Sequence, residues 1–125
     1  MLTFQQAVEK FATARKGKPC KLAGNTYLEK IDESTYAVKF HATNVVLIHG
    51  DGTFTLDNGG YRTNTTKNRI NEYSPANVFQ QNFEWHLYVR SDSIGTSKFE
   101  FVNGMRIEGD GSPINGIPVI KKGKR

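Results

Sequence analysis

The densest chemistry in the sequence lies between Asp57 and Asn71, which read Asp-Asn-Gly-Gly-Tyr-Arg-Thr-Asn-Thr-Thr-Lys-Asn-Arg-Ile-Asn. Gly59 and Gly60 permit positive φ and a close approach of backbone to a ligand. Thr63, Thr65 and Thr66 supply three hydroxyls within four residues. Thr65 or Thr66 can cap a short helix, whose free N–H groups bind anions. Arg62, Lys67 and Arg69 add cations, and Tyr61 offers a face on which a base can stack. These are the ingredients of a phosphate cradle, although GxxxxGK[ST], the spacing of a Walker loop, is absent. A hairpin turn followed by a capped helical turn with a solvated basic face would use the same residues.

Four residues outside this segment are secondary candidates. His41-Ala42-Thr43 has the His-x-Thr form used by two-histidine phosphoesterases, which need two such pairs facing one phosphate. The second pair would be His86-Leu87-Tyr88, where tyrosine replaces the required small hydroxyl. Tyr88 and Arg90 lie two apart on an alternating segment, so an aromatic and a cation share one face, as suits single-stranded nucleic acid. Tyr27, Tyr61 and Tyr73 are further candidates for stacking. His41, His49 and His86 have no spacing that requires a metal, and Cys20 has no histidine near it in sequence. No paired carboxylates and no Ser-His-Asp pattern stand out, and the sequence implies no cofactor.

The elements that must position these groups follow from periodicity. Phe4, Ala7, Val8, Phe11 and Ala12 form one helical stripe, with Thr3 and Gln6 as a capping box and Gly17 as a stop, so a helix is expected over 4–15. From Tyr27 to Leu56 the pattern is antiparallel sheet. Tyr36, Val38 and Phe40 alternate, Asp32-Glu33-Ser34 and Gly50-Asp51-Gly52 turn the chain, and Val45 to Ile48 reads as a strand covered on both faces. A short helix is expected over 66–73, ended by Pro75. Phe83, Trp85, Leu87 and Val89 alternate with Glu84, His86, Tyr88 and Arg90. Phe83, Trp85, Phe99 and Phe101 are expected in the core. Asn103-Gly104 predicts a type I′ hairpin leading to Met105 and Ile107, and 109–118 a loop. The expectation is a single α+β domain over 1–120, with an N-terminal helix on a twisted, mostly antiparallel sheet, and a basic tail over 121–125.

The stretch Asn25-Thr26-Tyr27, Ala37 to Thr43, Asp51-Gly52, Leu56 to Thr63, Thr65-Thr66-Lys67 and Arg69-Ile70-Asn71 resembles a family of small uncharacterised proteins encoded by bacteriophages and other mobile elements. The Gly-Gly-aromatic-Arg-Thr and Thr-Thr-Lys elements carry the resemblance, over roughly residues 25–73. It implies a biological context: nucleic-acid metabolism during infection, or inhibition of a host defence system.

Composition bounds the rest. The chain has 125 residues, is 37% hydrophobic and 23% charged, and carries a formal net charge of +5. That is enough apolar residue for one packed domain. Apolar runs are too short for a membrane span. No basic segment followed by an apolar stretch opens the sequence, so no secretory leader is expected. One cysteine allows no internal disulfide, and a cytoplasmic location is expected, that of the host if phage-encoded. The positive charge is concentrated in residues 1–23, 61–73 and 121–125, which favours a polyanion or an acidic protein surface as partner. The reading that follows is a non-enzymatic binder of nucleic acid or of a phosphate-bearing nucleotide. The alternatives are a protein–protein inhibitor of a host defence enzyme, and a small phosphodiesterase or nuclease.

Overall fold

A computed structural model describes residues 1–14, 19–91 and 95–116. The basic residues Arg15, Lys16 and Lys18, and the tail over 121–125, lie outside the described residues. The protein is α+β. The first helix, α1, is Phe4–Ala12, and Thr3 begins it. The Thr3 hydroxyl accepts from the Gln6 amide at 3.1 Å, and the Gln6 side chain accepts from the Thr3 amide at 2.9 Å. The expected capping box is therefore formed. The helix ends before residue 15 because Thr13 turns both its amide and its hydroxyl onto the Lys10 carbonyl. Ala7 is buried, and the rings of Phe4 and Phe11 each meet Tyr36 edge-on at 5.6 Å. Ala12 is exposed and is not part of the stripe.

Five strands follow as an antiparallel meander: β1 (Cys20–Ala23), β2 (Thr26–Asp32), β3 (Thr35–Phe40), β4 (Thr43–His49) and β5 (Phe54–Leu56). Their turns carry local reasons to form. The Asp32 carboxylate accepts from the Ser34 amide and the Asp51 carboxylate from the Thr53 amide, each at 2.9 Å. Between β3 and β4 the register shifts, leaving Val45 without a partner. This extra residue breaks the alternation. Val45 and Val46 are thus both buried although adjacent, while Leu47 is only half-buried. The apolar run therefore marks a bulge, where two covered faces were expected.

The second helix, α2 (Asn64–Tyr73), leads to a three-stranded antiparallel sheet of β6 (Val78–Gln81), β7 (Glu84–Ser91) and β8 (Gly95–Glu100). The last strand, β9 (Met105–Ile107), returns to pair with β5 and completes the six-stranded sheet β1-β2-β3-β4-β5-β9. Asn103-Gly104 is accordingly a connection between sheets, not a hairpin between paired neighbours. Only Gly104 of the pair has positive φ, at +84°, as in a type II turn and not in type I′. Leu28, Val38, Val46, Ile48, Leu56, Ile70, Leu87 and Ile107 form one core shared by both sheets and α2. Trp85 belongs to it, and Phe99 and Phe101 pack against it. Phe83 does not: it sits in the β6–β7 turn and is 86% exposed. No helix among the described residues is long and apolar enough to cross a membrane.

Candidate nucleotide pocket at the start of the second helix

Thr63 caps α2, two or three residues earlier than the expected cap at Thr65 or Thr66. Its side chain accepts from the Thr66 amide at 3.1 Å, and the two hydroxyls are 2.9 Å apart. Thr66 is consequently buried within the cap, its hydroxyl engaged with that of Thr63. Thr65 is exposed, and the amides of Asn64 and Thr65 have no intrahelical acceptor, as at any helix start.

The loop before the cap is set by its own side chains. The Asp57 carboxylate accepts from the Gly59 amide at 2.6 Å, and the Asn58 side chain accepts from the Gly60 amide at 2.8 Å. Asn58 is buried, and its amide donates to the Asn103 side chain at 2.9 Å. Gly59 and Gly60 both have positive φ. A Cβ on Gly59 would overlap the Thr43 side chain, whereas one on Gly60 would meet open space. The close approach expected of the glycine pair is thus made to Thr43 at Gly59, inside the protein, rather than to a ligand.

This packing brings the His41–Thr43 turn against the Thr63 cap. Between them lies a pocket of about 470 Å³, lined by Phe40, His41, Ala42, Thr43, Val45, Asn58, Tyr61, Thr63, Thr65 and Thr66. His41 has a φ of +55°, and its ring lies 4.4 Å from that of Phe40. Tyr61 is 64% exposed at the rim. Six of the sequence-predicted residues, from two separate segments, therefore meet in one cavity.

The others do not join them. Arg69 donates from Nε to Thr26 Oγ1 at 2.9 Å, pairs with Glu72 at 3.3 Å and lies over the Phe40 ring at 5.8 Å. It ties α2 to the sheet, and its charge stands behind the pocket wall. Arg62 and Gly60 line a different groove, where Arg62 Nη1 donates to the Phe83 carbonyl at 3.4 Å. Lys67 lines neither cavity. Tyr88 and Arg90 are exposed on β7, also outside both cavities, with Tyr88 edge-on to Phe79. His86 lines the groove and not the pocket, so it does not face His41 across a common space. Tyr27 is half-buried, and Tyr73 packs against the core.

Phe40, Val45 and Asn58 line the pocket without having been singled out from the sequence. An Asp-Asn-Gly-Gly run announces a turn, but only the fold reveals that Asn58 is buried against Asn103. The perturbed titrations lie elsewhere. Burial, then the Arg106 charge, lowers the His49 pKa, and His49 Nε2 is 2.7 Å from the Thr55 hydroxyl. Hydrogen bonds from Thr53 hold Asp51 below the usual carboxylate range. No cluster of three or more histidine, cysteine or acidic side chains able to hold a metal ion occurs among the described residues.

No curated protein and no solved structure matches the chain. Residues 4–108 match the family model described as Kyanoviridae Gp96 protein, a phage protein family. That match spans both helices and all nine strands of the described residues, and every residue of the pocket. The chain therefore belongs to the Kyanoviridae Gp96 protein family.

Proposed function

We propose that this phage protein is a non-enzymatic binder of a phosphate-bearing nucleotide, held in the pocket at the start of α2. The observation that carries the reading is the convergence of aromatic walls and helix-start donors on one cavity of about 470 Å³. Phe40 and Tyr61 supply apolar faces for a base. The amide of Thr65, with the hydroxyls of Thr63 and Thr65, supplies donors for an anion. The volume lies within the usual range for small-ligand pockets, about 300–1,000 Å³. Among the described residues, Arg69 is already engaged, Arg62 faces the other groove and Lys67 lines neither cavity, so the cations of 61–73 do not form a track for a duplex backbone. A single nucleotide, or one nucleotide of a single strand, suits the site better.

A protein–protein inhibitor of a host defence enzyme is the second reading, and the exposed side chains Tyr61 and Phe83 favour it. The two-histidine phosphodiesterase has the least support, because His41 and His86 line different cavities.

Calorimetric titration with nucleoside mono-, di- and triphosphates and with short single-stranded oligonucleotides tests the reading. Thr65→Glu is the informative variant. A carboxylate in the first turn favours the helix dipole, so thermal stability holds or rises slightly. The same carboxylate opposes a phosphate, so affinity falls at least tenfold. Failure of the wild type to bind any of these ligands, or equal affinity in Thr65→Glu, removes the reading.

A further inference from the structure

Phe83 is the residue that the pocket does not explain. It holds the second position of the two-residue turn between β6 and β7, where Asn82 and Phe83 have φ of +54° and +67°. This turn favours Asn-Gly, and a bulky side chain there is an outlier. The ring is also almost wholly exposed. Glycine would remove both penalties, so the fold gains nothing from phenylalanine, and such an outlier is grounds for a hypothesis of function.

Beside Phe83 runs a groove of about 790 Å³, with apolar walls from Trp85, Phe101 and Val102 and charges from Arg62, Glu84 and Glu100. Trp85 Nε1 and His86 Nδ1 are buried with no hydrogen-bond partner among the described residues. Their residues are only 5% and 9% exposed. Buried polar atoms are ordinarily paired, and both residues line the groove. Arg62, Glu84 and Glu100 form no ion pair among the described residues.

We propose that this face is the interface of a two-fold dimer, in which Phe83 of each copy enters the groove of the other. Charge selects the occupant. A phosphate chain would meet Glu84 and Glu100. A charged face that pairs with itself must carry both signs to be complementary, and this one sets Arg62 beside two carboxylates. Reciprocal insertion also needs an anchor next to a groove, and Arg62, which lines the groove, holds the Phe83 carbonyl. The proposal is independent of nucleotide binding, because only Asn58 lines both cavities.

Sedimentation velocity over micromolar to millimolar concentrations tests it. The wild type is expected to dimerise, and Phe83→Gly to stay monomeric. At concentrations where both are monomeric, Phe83→Gly should melt about 3–5 °C higher, as an Asn-Gly turn relieves the strain. Charge reversal gives the specific check. Arg62→Glu alone and the Glu84→Arg, Glu100→Arg pair each place like charges across the interface, so each protein is monomeric. Mixed, the two proteins restore opposite charges at every position and form a heterodimer. A monomeric wild type throughout the range, an undiminished dimer in Phe83→Gly, or a mixture of the two folded charge variants that stays monomeric overturns the proposal.

Discussion

Two neighbouring glycines show how residue type and environment separate. Gly59 and Gly60 look equivalent in sequence, yet only Gly59 has a side chain pressed against it. Gly59→Ala combines a left-handed backbone with overlap on Thr43 and is expected to cost about 3 kcal/mol. Gly60→Ala carries the backbone penalty alone, about 1 kcal/mol. Urea unfolding of the two variants measures the difference, and equal losses would mean that Thr43 does not pack on the loop. His49 gives a second residue-scale test. Its pKa is lowered in the fold, first by burial and then by Arg106. Unfolding therefore takes up a proton once the pH drops through the unfolded value, about 6.5. The stability from this group is complete above that pH and is lost as pH falls toward the folded pKa. Asp32 and Asp51, lowered by hydrogen bonds from Ser34 and Thr53, act at more acidic pH. His49→Gln should flatten unfolding free energy between pH 7 and pH 5 while leaving the acid limb in place. The same scale explains a sequence error: Phe83 continues the period of two that Trp85 and Leu87 obey, and only the turn geometry takes it out of the core.

The elements themselves were largely legible, because each is fixed by local signals. Thr3 with Gln6 starts α1, Asp32 and Asp51 close their turns, and alternation from Tyr36 to Phe40 makes β3. The pairings between distant segments were not. Asn103-Gly104 is a sound local turn signal, but β9 pairs with β5, about fifty residues earlier, and no local pattern records that. The cap falls at Thr63 although Thr65 and Thr66 are equally good capping residues, and it goes with the docking of Ile70 and Arg69 on the sheet. Asn71 extends that docking to the second sheet. Its side chain donates to the Val78 carbonyl at 2.9 Å and accepts from the Val78 amide at 2.7 Å. Asn71→Ala leaves both backbone groups unpaired and is expected to cost about 2–3 kcal/mol. Because that link fixes α2, nucleotide affinity should fall with it, as paired melting and binding measurements on the variant would report.

For the whole molecule, the fold narrows what a net charge of +5 means. The residues 61–73 formed one basic block in sequence, but the structure turns Arg62 toward the groove, fastens Arg69 to Thr26 and leaves Lys67 apart from both cavities. The proposed nucleotide site would therefore rely on helix-start donors more than on the cations of 61–73. A short single strand that seats about two phosphates should bind with a slope of log affinity against log salt near −1.4. A slope near −4 would indicate an extended track of cations instead. The candidate site was legible as a set of residue types, and half of it as a location. The turn at His41 and the wall formed by Phe40 and Val45 join it only because β3, β4 and α2 fold together. The most direct test is a two-dimensional amide NMR titration with nucleoside monophosphates. The account predicts saturable shifts at His41 to Thr43, Tyr61 and Asn64 to Thr66, with Tyr88 and Arg90 unmoved. Shifts centred on β7, or none at the start of α2, would contradict it.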